Sequence, residues 1–178
     1  MSKKTSAQPQ EPQNELDEDA IAFAQGIFDL ARNGGAEMLA PLLDAGVPVD
    51  IRTSNGDSLL MLAAYNGHTQ TARLLLEQGA DPDLPNDRLQ TPLAGVVYKG
   101  DMETANLLLE YGAGVDSRPE GAKTPLMYAA MFDRTGMIDR LLEAGADPGL
   151  RDADGHTALS LARTMDVKEA VSRLKALS

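Results

Sequence analysis

The chain predicts an all-α solenoid of stacked helix–turn–helix units, and three residue ladders in one register carry that prediction. Gly46, Gly79, Gly112 and Gly145 recur every 33 residues. The leucine pairs Leu42-Leu43, Leu75-Leu76, Leu108-Leu109 and Leu141-Leu142 keep the same step. So do Thr91-Pro92-Leu93, Thr124-Pro125-Leu126 and Thr157-Ala158-Leu159, with Ser58-Leu59-Leu60 as a looser copy. A further ladder, Gly34, Gly67 and Gly100, continues as Asp133 and Asp166. A unit of this length cannot bury its apolar face alone, so its neighbours must stack on it.

The elements follow in order. Residues 1–14 are rich in Gln, Pro, Ser and Lys and carry almost no apolar side chains, too few to offset the entropy of ordering. They read as a disordered polar tail. Asp17-Glu18-Asp19 then precede an apolar run from Ala20 through Phe28. Acids in a first turn suit a helix N-terminus; the trio also reads as a docking patch. Within the repeating unit, Thr91 and Thr124 suit N-caps, and Pro92 and Pro125 suit the first helical position. A short helix, Thr91–Lys99, is expected to stop at Gly100, which can take left-handed backbone angles. A second, Met102–Tyr111, turns Leu107-Leu108 inward and stops at Gly112. Ala113-Gly114-Val115-Asp116 reads as extended and leads to a polar turn and the next cap.

Composition narrows the chemistry. At 43% hydrophobic the 178 residues can form a core, but with only four Tyr, three Phe and no Trp it must be built from Leu, Ala, Met, Val and Ile. The absence of cysteine excludes disulfides, thiolate metal sites and cysteine nucleophiles. With 27 acidic against 16 basic side chains the formal charge is −11, which argues against nucleic acid or an anionic membrane as partner. No run approaches the roughly 20 apolar residues that span a bilayer. No apolar stretch follows Lys3-Lys4, so a signal peptide is not expected and the reading is cytoplasmic.

The strings Ser54-Asn55-Gly56-Asp57-Ser58-Leu59-Leu60-Met61-Leu62-Ala63-Ala64-Tyr65-Asn66-Gly67-His68 and Leu74-Leu75-Leu76-Glu77-Gln78-Gly79-Ala80-Asp81 resemble the ankyrin repeat. The resemblance covers about residues 20–178. It implies about five repeats with short β-turn fingers: an N-terminal cap at 15–51, internal repeats at 52–84, 85–117 and 118–150, and a C-terminal cap at 151–178. Arg163, Lys168, Glu169, Arg173 and Lys175 make the last unit polar, as a cap requires. Where the family usually places a histidine that bonds between repeats, this chain has Met61, Ala94, Met127 and Ser160. Apolar packing is expected to replace some of that network. Gly95 stands where other repeats have Leu62, Tyr128 and Leu161. A mid-helix glycine costs about 1 kcal/mol relative to alanine. A void beside Val96 and Val97 and a soft third repeat are the expectation.

No catalytic constellation is present: no phosphate-binding glycine loop, no zinc helix and no nucleophile elbow. His68 and His156 occupy non-equivalent places in their repeats, His68 behind a helix-ending glycine and His156 on a turn tip. No catalytic, metal or cofactor role is expected. Asp81, Asp83, Asp116 and Asp147 lie in the inter-repeat loops; calcium needs several oxygens converging on one loop, whereas single acids suit turn hydrogen bonds.

The resemblance implies that a partner protein meets the concave face, formed by the turn tips and the exposed ends of the first helices. On it Tyr65, Tyr98 and Met131 form one column, flanked by Arg32 and Thr164, and Asn66, Lys99 and Phe132 form the next. Exposed aromatics within a polar rim are typical of binding hot spots; the other reading has Tyr65 and Tyr98 merely stacking on each other. The rim offers Asp57, Asp87, Arg88, Gln90, Glu120, Lys123, Asp154 and His156. Arg52, Arg118 and Arg151 recur at one turn position, with Pro85 breaking the series, and read either as a grip on an acidic segment or as solvated turn charges. The set is slightly basic. The function expected is a non-catalytic protein-binding module, monomeric on its own; the alternative is a regulatory, immunity-like subunit that inhibits a bound enzyme or toxin.

Overall fold

The computed structural model describes residues 13–177. Among them ten helices follow one another: α1 (Gln13–Arg32), α2 (Ala36–Asp44), α3 (Leu59–Tyr65), α4 (Thr69–Glu77), α5 (Pro92–Lys99), α6 (Met102–Glu110), α7 (Pro125–Met131), α8 (Thr135–Glu143), α9 (Ala158–Thr164) and α10 (Lys168–Lys175). Each odd-numbered helix pairs with the even-numbered one after it. The odd-numbered helices pack in chain order as one layer, and the second helices run alongside. The expected all-α solenoid is the fold observed. Most of the expected polar tail lies outside the described residues. Gln13 and Asn14, however, belong to α1, so the helix starts ahead of the expected boundary. Glutamine is a good helix former, and the segment extends a helix already anchored by buried Ile27 and Ala31.

The capping expectations hold. Ser58, Thr91, Thr124 and Thr157 accept hydrogen bonds from the backbone N–H groups of Met61, Ala94, Met127 and Ser160, at 3.1, 3.3, 3.2 and 3.2 Å. Three of these four caps are buried, so each satisfies a donor that water cannot reach. The positions lacking the family's histidine still contribute in two repeats: Met127 Sδ and Ser160 Oγ accept from the Thr124 and Thr157 N–H groups.

Two ladders close the gaps between units. In the hairpin turns, Gly34, Gly67 and Gly100 adopt φ of 81°, 75° and 78°, and Asp133 and Asp166 follow them into the left-handed region at 53° and 55°. In the inter-repeat loops, Asp50, Asp83 and Asp116 each accept the backbone N–H of a residue in the next repeat, namely Asp81, Gly114 and Asp147, at 3.1, 3.0 and 2.9 Å. Asp81 and Asp147 bond within their own loops to the N–H groups of Asp83 and Gly149. These aspartates therefore serve the turn chemistry that their positions suggested.

The core is a continuous stripe of aliphatics. Leu60, Leu93 and Leu126 share one register position and Leu75, Leu108 and Leu141 another; all six are fully buried. The void expected at Gly95 is not there. A Cβ at that position would stand 3.2 Å from Tyr65 Cδ2 and 3.4 Å from Met61 Sδ, so the space is filled from the neighbouring repeat. Val96 and Val97 are fully buried beside it.

The left-handed aspartates give a paired test. A non-glycine residue in this conformation costs about 1 kcal/mol, somewhat less for aspartate. Asp166→Gly should therefore raise stability to urea. Asp133→Gly should not, because Asp133 Oδ1 also accepts the Ala170 N–H at 2.8 Å and its loss uncaps the start of α10. Urea midpoints of the two variants check this.

Candidate partner-binding face

Tyr65 ends α3 and Tyr98 stands in the last turn of α5; one repeat apart, they emerge on the same face. Their rings stack with centroids 6.4 Å apart and an 8° interplanar angle. Tyr98 then meets Phe132 edge to face, at 4.9 Å and 89°. The row is continuous over three repeats, yet Tyr98 and Phe132 remain 37% and 39% exposed. Gly95 makes this possible: without a Cβ, it leaves room for the Tyr65 ring to lie over α5. Lys99 reaches back and places Nζ 5.0 Å from the Tyr65 ring centroid, a cation–π contact. Beside it, Tyr65, Asn66, Gly67, Lys99, Gly100 and Asp101 enclose a concavity of about 270 Å³.

The structure divides the sequence-predicted columns. Phe132, not Met131, continues the tyrosine row; Met131 is half-buried and packs against the core. Asn66 turns its amide onto the Leu62 carbonyl at 2.7 Å, closing the end of α3. Arg32 is ion-paired with Asp29, beside a cavity of about 470 Å³ between α1 and the first finger.

The fingers use most of the remaining charges on themselves. Arg52 donates to the carbonyls of Gly56 and, one repeat on, Pro85, at 2.9 and 2.6 Å. Arg118 does the same with Ala122 and Arg151, at 2.5 and 2.9 Å, and Arg151 holds Gly155 at 2.7 Å. Each guanidinium thus closes its own turn, and two of them also tie it to the next finger. Pro85 takes part through its carbonyl although its side chain interrupts the arginine series.

A second finger ladder escaped the sequence reading. Thr53, Asn86 and Asp152 share one register position, and one oxygen of each accepts the N–H groups two and four residues ahead. Three short polar side chains in one 33-residue register, interrupted by Pro119, were the signal. Asn86 also donates to Asp57 at 2.8 Å. Asp152 is buried, and Lys123 Nζ lies 3.1 Å from its Oδ2 and His156 Nδ1 3.5 Å from its Oδ1. Burial pushes the Asp152 carboxyl up, but the His156 N–H, Lys123 and the Asp154 N–H outweigh it and hold it below the ordinary 3.8. Asp116 goes the other way. Burial raises it above 3.8 against the Asp147 N–H and Arg118, and its Oδ1 is buried with no hydrogen-bond partner. Asp152, Asp154 and His156 bring possible ligand atoms within 4.8 Å of one another, but Asp152 is already committed to two amides and an ammonium.

Leu89 was also missed. It is 49% exposed at a finger tip with φ 61°, in the register position that Gly56 and Gly155 occupy in their fingers. Its place in the glycine column was the available signal. Gln90 is half-buried beside it, and its backbone closes the turn onto Asn86.

Stacked helix hairpins with polar fingers and a half-exposed aromatic row define a helical-repeat solenoid. The family described as ankyrin repeats (3 copies) matches residues 27–119 and 97–177, and the chain belongs to the ankyrin repeat family. Ankyrin repeats generally mediate protein–protein interactions, and the family is typically non-catalytic. A curated ankyrin repeat protein of Pseudomonas aeruginosa is 49% identical over 57 residues, which are 32% of this chain and 33% of that protein. This chain thus matches only a third of its relative's length. No helix among the described residues is long and apolar enough to cross a membrane.

Two predictions follow from this geometry. Asp152→Asn removes the ion pair and should lower the urea midpoint at pH 7. A carboxyl held low stabilises the fold fully above its unfolded value of 3.8, and that stability disappears as pH falls through the lower folded value. The deficit should therefore shrink in acid. Asp116→Asn should raise the midpoint at pH 7, because a carboxyl held high costs stability until pH drops through its folded value toward 3.8. Separately, Gly95→Ala gains about 1 kcal/mol of helix propensity but drives a methyl against the Tyr65 ring. Its near-ultraviolet tyrosine dichroism should change while its melting temperature does not fall.

Proposed function

We propose that this chain is a non-catalytic binding module that holds a partner protein against the face bearing Tyr65, Tyr98 and Phe132. The observation that carries this reading is the unbroken aromatic contact across three repeats with more than a third of the Tyr98 and Phe132 surface still open to water. Rigid aromatic side chains bury much area at little entropic cost, and they recur as interface anchors. Mutual shielding alone would be complete if the rings covered one another, and they do not. The finger arginines Arg118 and Arg151, with Lys123 and His156, support the face from behind by shaping its turns. Arg88 and Lys99 are the members of the predicted set whose charges stay available. On this reading the chain works as a cytoplasmic monomer until the partner arrives, with no nucleic acid involved.

Tyr65→Ala, Tyr98→Ala and Phe132→Ala combined should reduce partner capture at least about a hundredfold while leaving helical circular dichroism intact, since hot-spot truncations cost 2 kcal/mol or more each. Capture that survives the triple substitution refutes the site.

A further inference from the structure

We infer that the segment this face holds is extended and acidic around an apolar centre, and that it is read chiefly by the repeat spanning 85–117. The inference rests on the proposed function above and adds the chemistry of the partner.

Three cations carry the charge argument. Arg88, Lys99 and Arg134 form no ion pair with a carboxylate among the described residues, whereas Arg32, Arg52, Lys123 and Arg173 do. Arg88 is exposed on the finger that leads into α5. Lys99 lies over Tyr65 at the other end of α5, and the Arg134 guanidinium rests against Gly100 beside it. Several acids on the same edges have oxygens already engaged in hydrogen bonds. Asp101 caps α6 through the Thr104 N–H and also accepts its hydroxyl; Asp133 caps the start of α10. Asp57 accepts from Asn86, and Asp87 turns back over Gly56 toward Arg52. Of the acids left exposed without a side-chain bond, Glu120 and Asp154 stand on the two fingers farther along the chain, and Glu103 and Asp166 on the hairpin edge. A chain of net charge −11 therefore presents, along the 85–117 repeat and the hairpin after it, cations whose donors stay free to pair beside its aromatic row.

Leu89 supplies the apolar contact. A branched side chain at φ 61° is strained, and two other fingers place glycine there. The fold gains little from a leucine 49% exposed in that conformation. Strain of this kind concentrates where a side chain is held out for a ligand. Helix α5 is eight residues long, about 12 Å at 1.5 Å per residue. About four residues of an extended segment, at roughly 3.3 Å each, match the length of α5, which separates the finger bearing Arg88 and Leu89 from Lys99.

The test is selection from a displayed library of random twelve-residue peptides on the full chain and three variants. Wild type should enrich peptides with Asp or Glu flanking Leu, Phe or Tyr, and their binding should weaken with salt. The charge-reversed variant Arg88→Glu, Lys99→Glu and Arg134→Glu should bind those peptides at least about tenfold more weakly and select basic ones instead. Leu89→Gly should melt at higher temperature yet bind more weakly, a combination that a purely structural residue does not give. Enrichment without acidic bias, or the same peptides on the charge-reversed variant, overturns the inference and leaves the aromatic site standing. Binders that persist on Tyr65→Ala/Tyr98→Ala, or a library that yields none sensitive to that change, overturn both.

Discussion

A seven-residue helix beside a nine-residue one has more apolar surface than the pair can cover, and the whole molecule is organised around that deficit. α3 and α4 leave Leu60, Leu75 and Ala63 fully buried only because α1 and α2 lie on one side and α5 and α6 on the other. The same dependence sets the 33-residue register, since any shift would turn Leu93 or Leu108 away from its equivalent in the next repeat. It also explains the caps. A helix this short leaves many of its backbone donors unsatisfied, and with Ser58, Thr91 and Thr124 buried the side-chain oxygen must do what water does elsewhere.

Polar groups then fix what apolar packing leaves free. Burial is non-directional and would tolerate rotation of one repeat on another. The Asp50, Asp83 and Asp116 bonds to the following loop, and the Arg52 and Arg118 bonds to the following finger, remove that freedom at two separate points. Asp116 shows the cost of such a device. Its Oδ2 is satisfied and its Oδ1 is not, so the bond that positions the fourth repeat also buries part of a charge.

The fold was legible because its determinants are periodic: glycines at the turns, leucines in the core and threonines at the caps announce themselves by spacing alone. The face was legible in outline. The 33-residue step brought Tyr65 and Tyr98 together correctly, but it could not show that Phe132 rather than Met131 continues the row. That choice depends on the last turn of α7, where Met131 packs inward and Phe132 caps the helix. Gly95 was misread for a related reason. Within its own helix a missing side chain implies a void, and only the neighbouring repeat supplies the Tyr65 ring that fills it. Arg118 and Arg151 were legible as a ladder but not in direction, because a guanidinium on a turn tip faces solvent or backbone according to carbonyl positions that side-chain spacing does not encode.

Charge makes the same point more sharply. Counted along the sequence, the face holds more bases than acids and the chain as a whole the reverse. Neither count describes what a partner meets, since most of the bases on the face already have their donors engaged within their own repeats. Arg52, Arg118 and Arg151 spend their donors on carbonyls, and Arg32 and Lys123 on carboxylates. What remains is set by an asymmetry of helix chemistry. Acids are drawn to helix N-termini, where Asp101 and Asp133 satisfy backbone donors, while cations near helix C-termini complement the dipole without being fully bound. Lys99 in the last turn of α5 is such a cation. At the hairpin between α5 and α6 the acid is thus consumed by a helix start while the cation keeps its donors free, whatever the sign of the total.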